Sequence, residues 1–335
     1  MKNTRHIVLD VVYQGKNISK EINNDLIDIS INDVASNSAD DISITLQDKE
    51  MKWLKNWVVE DGDKIEVKAT SYNWNKPGEE YSINFGTYFV DEPTYTINPG
   101  VFSLNASSIP NNKNFRDLKR TKIWKNAKIS TIAEAIAKNN EFTLYFDSTE
   151  NPTIKEEEQS QTSDMEFLKQ LCNNNGLNIK IYQNILVIYS ESAYEIKIPK
   201  MIVTPEMIIG TPSFTRSLTD SGYDKAVLKY TKGEGETLKA SFERPKSKSS
   251  KILSLNDSVD SQAEALRICK AKLREKNKEE YKISFALPGL VKLYSAETIE
   301  FREVGQFSGI YFIDSKSQSL SPTSASFEAH KILGY

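Results

Sequence analysis

Residues Ser163 to Ser190 read S-D-M-E-F-L-K-Q-L-C-N-N-N-G-L-N-I-K-I-Y-Q-N-I-L-V-I-Y-S, the one stretch where helix and strand signals follow each other in a compact unit. Ser163 is placed to accept a bond from the first free amides of a helix, and Glu166, three residues on, to reach back to it. Met165, Leu168, Leu171 and Cys172 recur at helical spacing until Gly176, which supplies the left-handed conformation where a helix stops. Leu177 to Tyr182 and Ile185 to Tyr189 are β-prone runs on either side of Gln183-Asn184, a hairpin pattern. The same order occurs upstream, where Ile129, Ile132, Ala133, Ile136 and Ala137 form a helical stripe ahead of F-T-L-Y-F at 142–146. Together these segments predict a small α+β module in mid-chain.

Outward from the module the pattern changes to period two, which puts apolar side chains on one face of a strand. Ile27, Ile29 and Ile31 alternate with polar residues, as do Ile42, Ile44 and Leu46, then Ile65, Val67 and Ala69, then Phe102, Leu104 and Ala106. Half-buried antiparallel strands are expected. Asp48 to Trp57 reads as a short helix with Trp53 and Trp57 one turn apart, and Asp61-Gly62-Asp63 as the turn that follows. The tryptophan pair could serve as a stacking platform, but beside Leu54 and Val58 it reads as core. Asn111 to Asn126 is basic, and Asn151 to Thr162, with Glu156-Glu157-Glu158, reads as a polar connector with a solvated acidic face.

Past Pro205 the alternation resumes. Ala226, Leu228 and Tyr230, then Gly233-Glu234-Gly235, then Leu238, Ala240 and Phe242 form a hairpin signature. Pro245 to Lys251 has no apolar anchor and reads as a loop ordered by a partner. Ser261 to about Lys278 is the best helix, opened by Ser261 and Glu264, with Leu266, Cys269 and Leu273 inward and Glu264, Arg267, Lys270 and Arg274 outward. Strands are expected at Tyr281 to Leu287, Ala296 to Glu303, Gly309 to Ser315 and Ser324 to Ile332. The residues alone therefore predict a mainly β protein with two β units around an α+β insert.

The 335 residues are enough for about two domains, or three smaller ones. With 39% hydrophobic and 27% charged residues the chain is globular, and a net charge of -3 argues against phosphate neutralisation, so nucleic-acid binding is not expected. The opening M-K-N-T-R-H-I-V-L-D has no secretory pattern and no apolar run approaches the ~20 residues of a membrane span. Cys172 and Cys269 read as reduced core thiols.

No motif states a mechanism. His6 and His330 lie in strand contexts at the two ends of the sequence, and there is no nucleophile elbow, phosphate loop or zinc-binding spacing. Asp40-Asp41 and Asp91-Glu92 are acidic pairs, but adjacent strand residues point to opposite faces. No catalytic, cofactor-binding or metal-ligating residue is assigned, and no enzyme activity is expected. An enzyme acting on polysaccharide through dispersed carboxylates remains a competing reading, as does a peptidoglycan- or glycan-binding module.

The ordered series A39-D-D-I-S-I-T-L-Q-D, Trp53 and Trp57, D61-G-D-K-I-E-V, F85-G-T-Y-F-V-D-E, S163-D-M-E-F-L-K-Q-L with Gly176, A263-E-A-L and G309-I-Y-F-I-D resembles the baseplate hub family of contractile-tailed phages and phage-tail-like bacteriocins, which includes late control protein D. The resemblance spans nearly the whole chain, through the series and not through any single motif. It implies two tube-like antiparallel β-barrel domains, 1–125 and 205–335, flanking the central α+β module at 126–204. It also implies a homotrimeric ring of pseudo-sixfold symmetry that joins the tail tube to the central spike, with other baseplate proteins as further partners. Synthesis in the bacterial cytoplasm without a signal peptide and incorporation in the particle follow from the same reading. Candidate interface residues are the basic and loop positions Lys113, Arg116, Lys119, Arg120, Lys122, Lys246, Lys248 and Lys251. Two features depart from the family: Asp314-Ser315-Lys316 stands where members often carry a histidine, and Pro288-Gly289 where a glycine-rich turn is usual. No appended lytic domain is expected on this reading.

Overall fold

Residues 4–36, 38–110, 113–182, 184–231, 233, 235–245 and 251–335 are described by a computed structural model. The period-two segments of the first hundred residues become β1 (His6–Tyr13), β2 (Lys16–Asn17), β3 (Leu26–Val34), β4 (Asp41–Gln47), β5 (Lys64–Tyr72), β6 (Glu80–Thr96) and β7 (Val101–Ser107), with helices α1 (Ser19–Asp25) and α2 (Lys52–Lys55). They pair in the order β3-β4-β7-β6-β5-β1-β2. The alternating positions of β4, β5 and β7 are buried as predicted. In β3 only Ile29 and Ile31 are, because a register shift between Leu26 and Asp28 turns Ile27 outward to 45% exposure. The predicted helix at Asp48 to Trp57 is a single turn, held by the Asp48 carboxylate, which accepts from Lys52 N at 2.8 Å and Trp53 N at 3.0 Å. Trp53 is buried against Phe102, ring centroids 4.9 Å apart, and meets Trp57 edge-on. This pair is core.

The central segment forms α3 (Lys113–Arg116), β8 (Arg120–Lys128), α4 (Ile129–Asn139), β9 (Thr143–Asp147), β10 (Thr153–Thr162), α5 (Asp164–Asn174), β11 (Leu177–Tyr182), β12 (Ile185–Ser190) and α6 (Glu191–Glu195). Ser163 accepts from Glu166 N at 3.2 Å and Gly176 sits at φ +71, so both predicted ends of α5 hold. The stripe of α4 is buried with Leu168, Leu171 and Cys172 of α5 over the sheet β11-β12-β9. The connector expected at Asn151 to Thr162 is instead strand β10, paired with β8 so that Glu156 faces Lys125 and Glu157 faces Trp124. Both faces of this ribbon are largely solvated, so the apolar alternation that marks a strand is missing and cross-strand charge pairing replaces it.

The remainder contributes β13 (Ile202–Val203), β14 (Ile209–Arg216), β15 (Lys225–Thr231), β16 (Thr237–Glu243), β17 (Ile252–Leu255), α7 (Gln262–Asn277), β18 (Tyr281–Pro288), β19 (Thr298–Phe301), β20 (Gly309–Leu320) and β21 (Thr323–Lys331). α7 covers the three-stranded sheet β16-β15-β17. Its inward face differs from the predicted stripe: Leu266 is 46% exposed, and Arg274 is buried because acidic partners await it. Most of the loop expected at Pro245 to Lys251 lies outside the described residues.

The two terminal β units share one sheet, antiparallel except where β13 pairs with β19 in parallel. β20 gives one edge to β21 and the other first to β19 and then, over Ser315 to Ser319, to β3. Leu290 and Leu320 accordingly join the apolar core of the first unit. At the end of β18, Gly289 (φ +91) lies under Trp74 of the β5–β6 turn, where a Cβ would come 2.3 Å from the indole nitrogen. Gly289→Ala should therefore cost more than Gly210→Ala, which has a similar positive φ (+69) with nothing within 4 Å. We expect Gly289→Ala to lower stability in urea by more than ~1 kcal/mol, with Gly210→Ala measuring the backbone component alone.

Candidate functional site

Two clusters of buried charge stand where the units meet. The first is centred on Lys180 of β11, carried by the central hairpin to the β3–β20 seam. Its Nζ donates to the Asp33 carboxylate, to Val34 O at 2.8 Å, to Asp40 Oδ1 at 3.0 Å and to Ser295 Oγ at 3.0 Å. Ser295 in turn donates to Asp33 through its amide, 2.8 Å, and its hydroxyl, 2.6 Å. Burial works against ionised Asp33, but the Lys180 ammonium and the Ser295 bonds hold its carboxyl below the usual range. Asp40 is pushed up to about 6 by burial, against the pull of Lys180 and helped by Asp33. One ammonium thus ties all three parts of the chain.

Beside this cluster lies a cavity of about 300 Å³, with Phe85, Tyr88, Tyr182 and Tyr294 as aromatic walls and Lys316 on its lining. Lys316 is 3% exposed and donates to Val291 O at 2.6 Å. Burial lowers it to about 8, with Asp33 and Glu297 acting in the opposite sense.

The second cluster surrounds His330 of β21, which is fully buried. Its Nδ1 is 2.7 Å from Asp314 and its Nε2 is 3.4 Å from Glu195. Arg274 of α7 donates to Glu195 at 2.6 Å and lies 3.6 Å from Glu191, while Lys278 and Asn178 bond the second Glu191 oxygen at 2.5 and 2.7 Å. Burial alone would deprotonate His330; Asp314, Glu195 and Glu191 raise it to about 9 instead. Glu191 is brought down to about 2 by Lys278, His330 and Arg274 despite its burial. Ligand atoms of Glu191, Glu195 and His330 fall within 4.8 Å of one another, a spacing a cation could bridge. Arg274 and Lys278 already supply that positive charge, so the arrangement is a closed ion-pair network joining α6, α7, β20 and β21.

The candidate interface residues fall in two separate places. Arg116, Lys119, Arg120 and Lys122 follow one another along α3 and β8, with Lys113 at the start of α3. Arg116 donates to Ser107 Oγ at 2.7 Å and lies 3.8 Å from Asp91; Arg120 is 3.4 Å from buried Asp164; Lys122 covers the Trp124 ring at 3.6 Å; Lys119 is exposed. Lys251, on the α7 side, donates to the carbonyls of Leu218, Thr219 and Ser221. Lys246 and Lys248 lie outside the described residues. Of the acidic pairs, Asp40 belongs to the Lys180 cluster and Asp91 sits at a register shift of β6.

Sequence reasoning named Asp40 and His330 singly but missed both clusters, because their members are far apart in the chain. It also missed an apolar strip along 196–202, where Ile196, Ile198 and Ile202 are 76%, 86% and 42% exposed. The strip borders β13, which pairs only with β19 among the described strands.

No protein-family model and no curated protein matches the sequence. Solved structures match it in fold. The 43 kDa tail protein of prophage MuSo2 from Shewanella oneidensis aligns with a TM-score of 0.75 at 13% identity over 99% of both chains. The tail protein from Neisseria meningitidis MC58 aligns with a TM-score of 0.74 at 12% identity over 98% of both. An E. coli component of the type VI secretion system, described as structurally similar to T4 bacteriophage tail proteins gp27 and gp5, aligns with a TM-score of 0.55 at 11% identity over 92% of this chain and 73% of its own. The chain has the fold that these tail and secretion-system proteins share.

The pKa shifts set a pH dependence. A His330 held near 9, against 6.5 unfolded, contributes stability that is complete below about 6.5 and is lost as pH rises through 9. Glu191, held near 2 against 4.5, contributes stability present above 4.5 and lost as pH falls through 2. Both contributions are complete between these limits. Urea midpoints should therefore begin to fall as the pH rises above about 6.5 in the native chain, and this component of the pH dependence should vanish in His330→Gln. That variant should also lose about 3–5 kcal/mol at pH 6, since its buried acids keep fewer partners.

Proposed function

We propose that the chain is a structural hub subunit of a contractile phage tail or tail-like bacteriocin, acting as a homotrimeric ring that joins the tail tube to the central spike. The observation that carries this reading is the end-to-end match with two tail proteins, which spans 98% or more of both partners in each comparison. A shared domain would match in part; here the alignment runs the length of both chains. In this reading the domains are 1–125, 126–204 and 205–335, and the two β units in each chain would let three copies present six similar elements to a sixfold tube and a threefold axis to a spike. Other baseplate proteins would be further contacts, with the basic residues of α3 and β8 as candidate positions.

The role is architectural, not catalytic. The charged clusters are closed on themselves and buried, which suits holding units at fixed angles. A glycan-binding role for the tryptophan pair is disfavoured, because Trp53 spends its face on Phe102 and is 3% exposed.

For the ring contact we assign the 196–202 strip, where Ile196 and Ile198 are exposed along the turn and bend that lead into β13, and Ile202 within it. Among the described strands β13 pairs with β19 alone and so keeps an edge for a neighbour's strand. Native mass measured at roughly 10 µM should give a species near three times 38.0 kDa, about 114 kDa. Ile198→Asp, with an unchanged circular dichroism spectrum, should shift it to 38.0 kDa. A native chain that stays monomeric even with tube and spike proteins added would defeat the reading. A trimer indifferent to Ile198→Asp would defeat the assigned contact only.

A further inference from the structure

The cavity at the junction of the three parts has the makings of a ligand site that the structural role does not require. Phe85, Tyr88, Tyr182 and Tyr294 form its aromatic walls, and the ion-paired Asp33, Asp40 and Lys180 also line it. Lys316 Nζ lies 5.3 Å from the centre of the Tyr294 ring, and the cavity volume of about 300 Å³ sits at the small end of natural ligand pockets. What makes it more than a packing gap is Lys316. The side chain is 97% removed from solvent, lines the cavity, and spends one of three ammonium donors on Val291 O. Among the described residues no carboxylate forms an ion pair with it. Asp33, opposite it in the β3–β20 register, is taken by Lys180 and Ser295. A buried ammonium with donor capacity facing an aromatic cavity is costly unless an acceptor arrives.

We propose that this cavity binds an organic carboxylate with an apolar body, the carboxylate accepting from Lys316 Nζ and the body packing between the tyrosines and Phe85. Two sources share this chemistry, a free small acid and the C-terminal carboxylate of a peptide. Neutral acceptors such as amides would satisfy the hydrogen bonds without the charge and bind less well, since charge-assisted bonds are about twice as strong as neutral ones. The groups facing Lys316 set the pH dependence: Asp33 on β3, Asp40 beyond it, Lys180 on β11, and Glu297 and Tyr294 on the segment after β18. Asp40, which takes up a proton near 6, eases the arrival of a second anion at lower pH. Lys316 loses its proton above about 8, and binding weakens there.

The test uses the full-length chain and three probes: 3-phenylpropanoate, its amide, and the peptide Gly-Ser-Gly-Phe with a free C-terminus, each titrated by calorimetry and ligand-observed NMR. The acid should bind at least about tenfold more tightly than the amide. Lys316→Met should abolish that preference by weakening the acid more than the amide, and the acid's affinity should fall between pH 7 and 9. A peptide that binds better than the free acid identifies a partner's terminus as the source, and the reverse identifies a small molecule. Equal binding of acid and amide, an unaltered preference in Lys316→Met, or no binding by any probe at ~10 mM overturns the proposal. Should Lys316→Met fail to fold, the acid-to-amide ratio and the pH profile of the native chain decide alone. None of these outcomes depends on whether the chain is a trimer.

Discussion

Strands β3 and β20 come from opposite ends of the chain, and their pairing over Ser30 to Val34 and Ser315 to Ser319 makes the two terminal β units one sheet. Closing so long a loop costs roughly 5 kcal/mol of chain entropy by the logarithmic loop law, so the seam must be held by more than its own ladder. Three things hold it. Leu290 and Leu320 fill the core of the first unit, Trp74 lies over Gly289, and Lys180 bonds Asp33 and Ser295 at once. The register matters as much as the pairing. A slip of one residue would turn Asp33 to the other face of the sheet and leave Lys180 buried with half its partners.

Both buried clusters cost desolvation, and apolar residues of equal volume could fill the same space. What charge adds is a penalty for misassembly. The Lys180 cluster is satisfied only when β3, β11 and the segment around Ser295 all meet, and the His330 cluster only when α6, α7, β20 and β21 do. Any arrangement that brings together all but one of these elements strands an ion in a poorly solvated place. A chain with several similar β hairpins needs such discrimination, because hydrophobic burial alone is indifferent to which strand sits beside which.

Much of the local structure was legible in the sequence. The stripe of α4, the capping residues of α5 and α7, the left-handed Gly176 and the alternation in β4, β5 and β7 are short-range signals, and each appears where the spacing put it. Most of the misses share one cause, an environment supplied from far along the chain, while Ile27 is lost to a local bulge. β10 carries no apolar alternation because its stabilising partners are the lysines of β8. Arg274 reads as a surface residue at helical spacing until Glu191 and Glu195 bury it, and Ile27 reads as core until a bulge in β3 turns it out. Lys180, flanked by Ile179 and Ile181, gave no sign of Asp33 or Asp40. The ordered series of motifs led to the tail-protein fold because it samples the whole chain; no local signal led to the cavity beside Lys316.

The treatment of strand edges separates what the chain closes from what it leaves open. On β1 the exposed edge is capped from within: Asn23 of α1 bonds both Leu9 N and Leu9 O, and Ser19 accepts from Val11 N, so a helix does the work of a neighbouring strand. On β14 the register breaks between Ile209 and Ser213, a stretch that holds Gly210 at positive φ and Pro212 without an amide donor, which spoils the edge as a template. β13 has neither device. Among the described strands its two residues pair with β19 alone, and the segment leading to it turns Ile196 and Ile198 into solvent, side chains that a monomer gains nothing by exposing. A chain that guards two of its edges and furnishes a third with bare isoleucines has made a distinction among them. The ring proposed for this protein follows that distinction to the 196–202 strip.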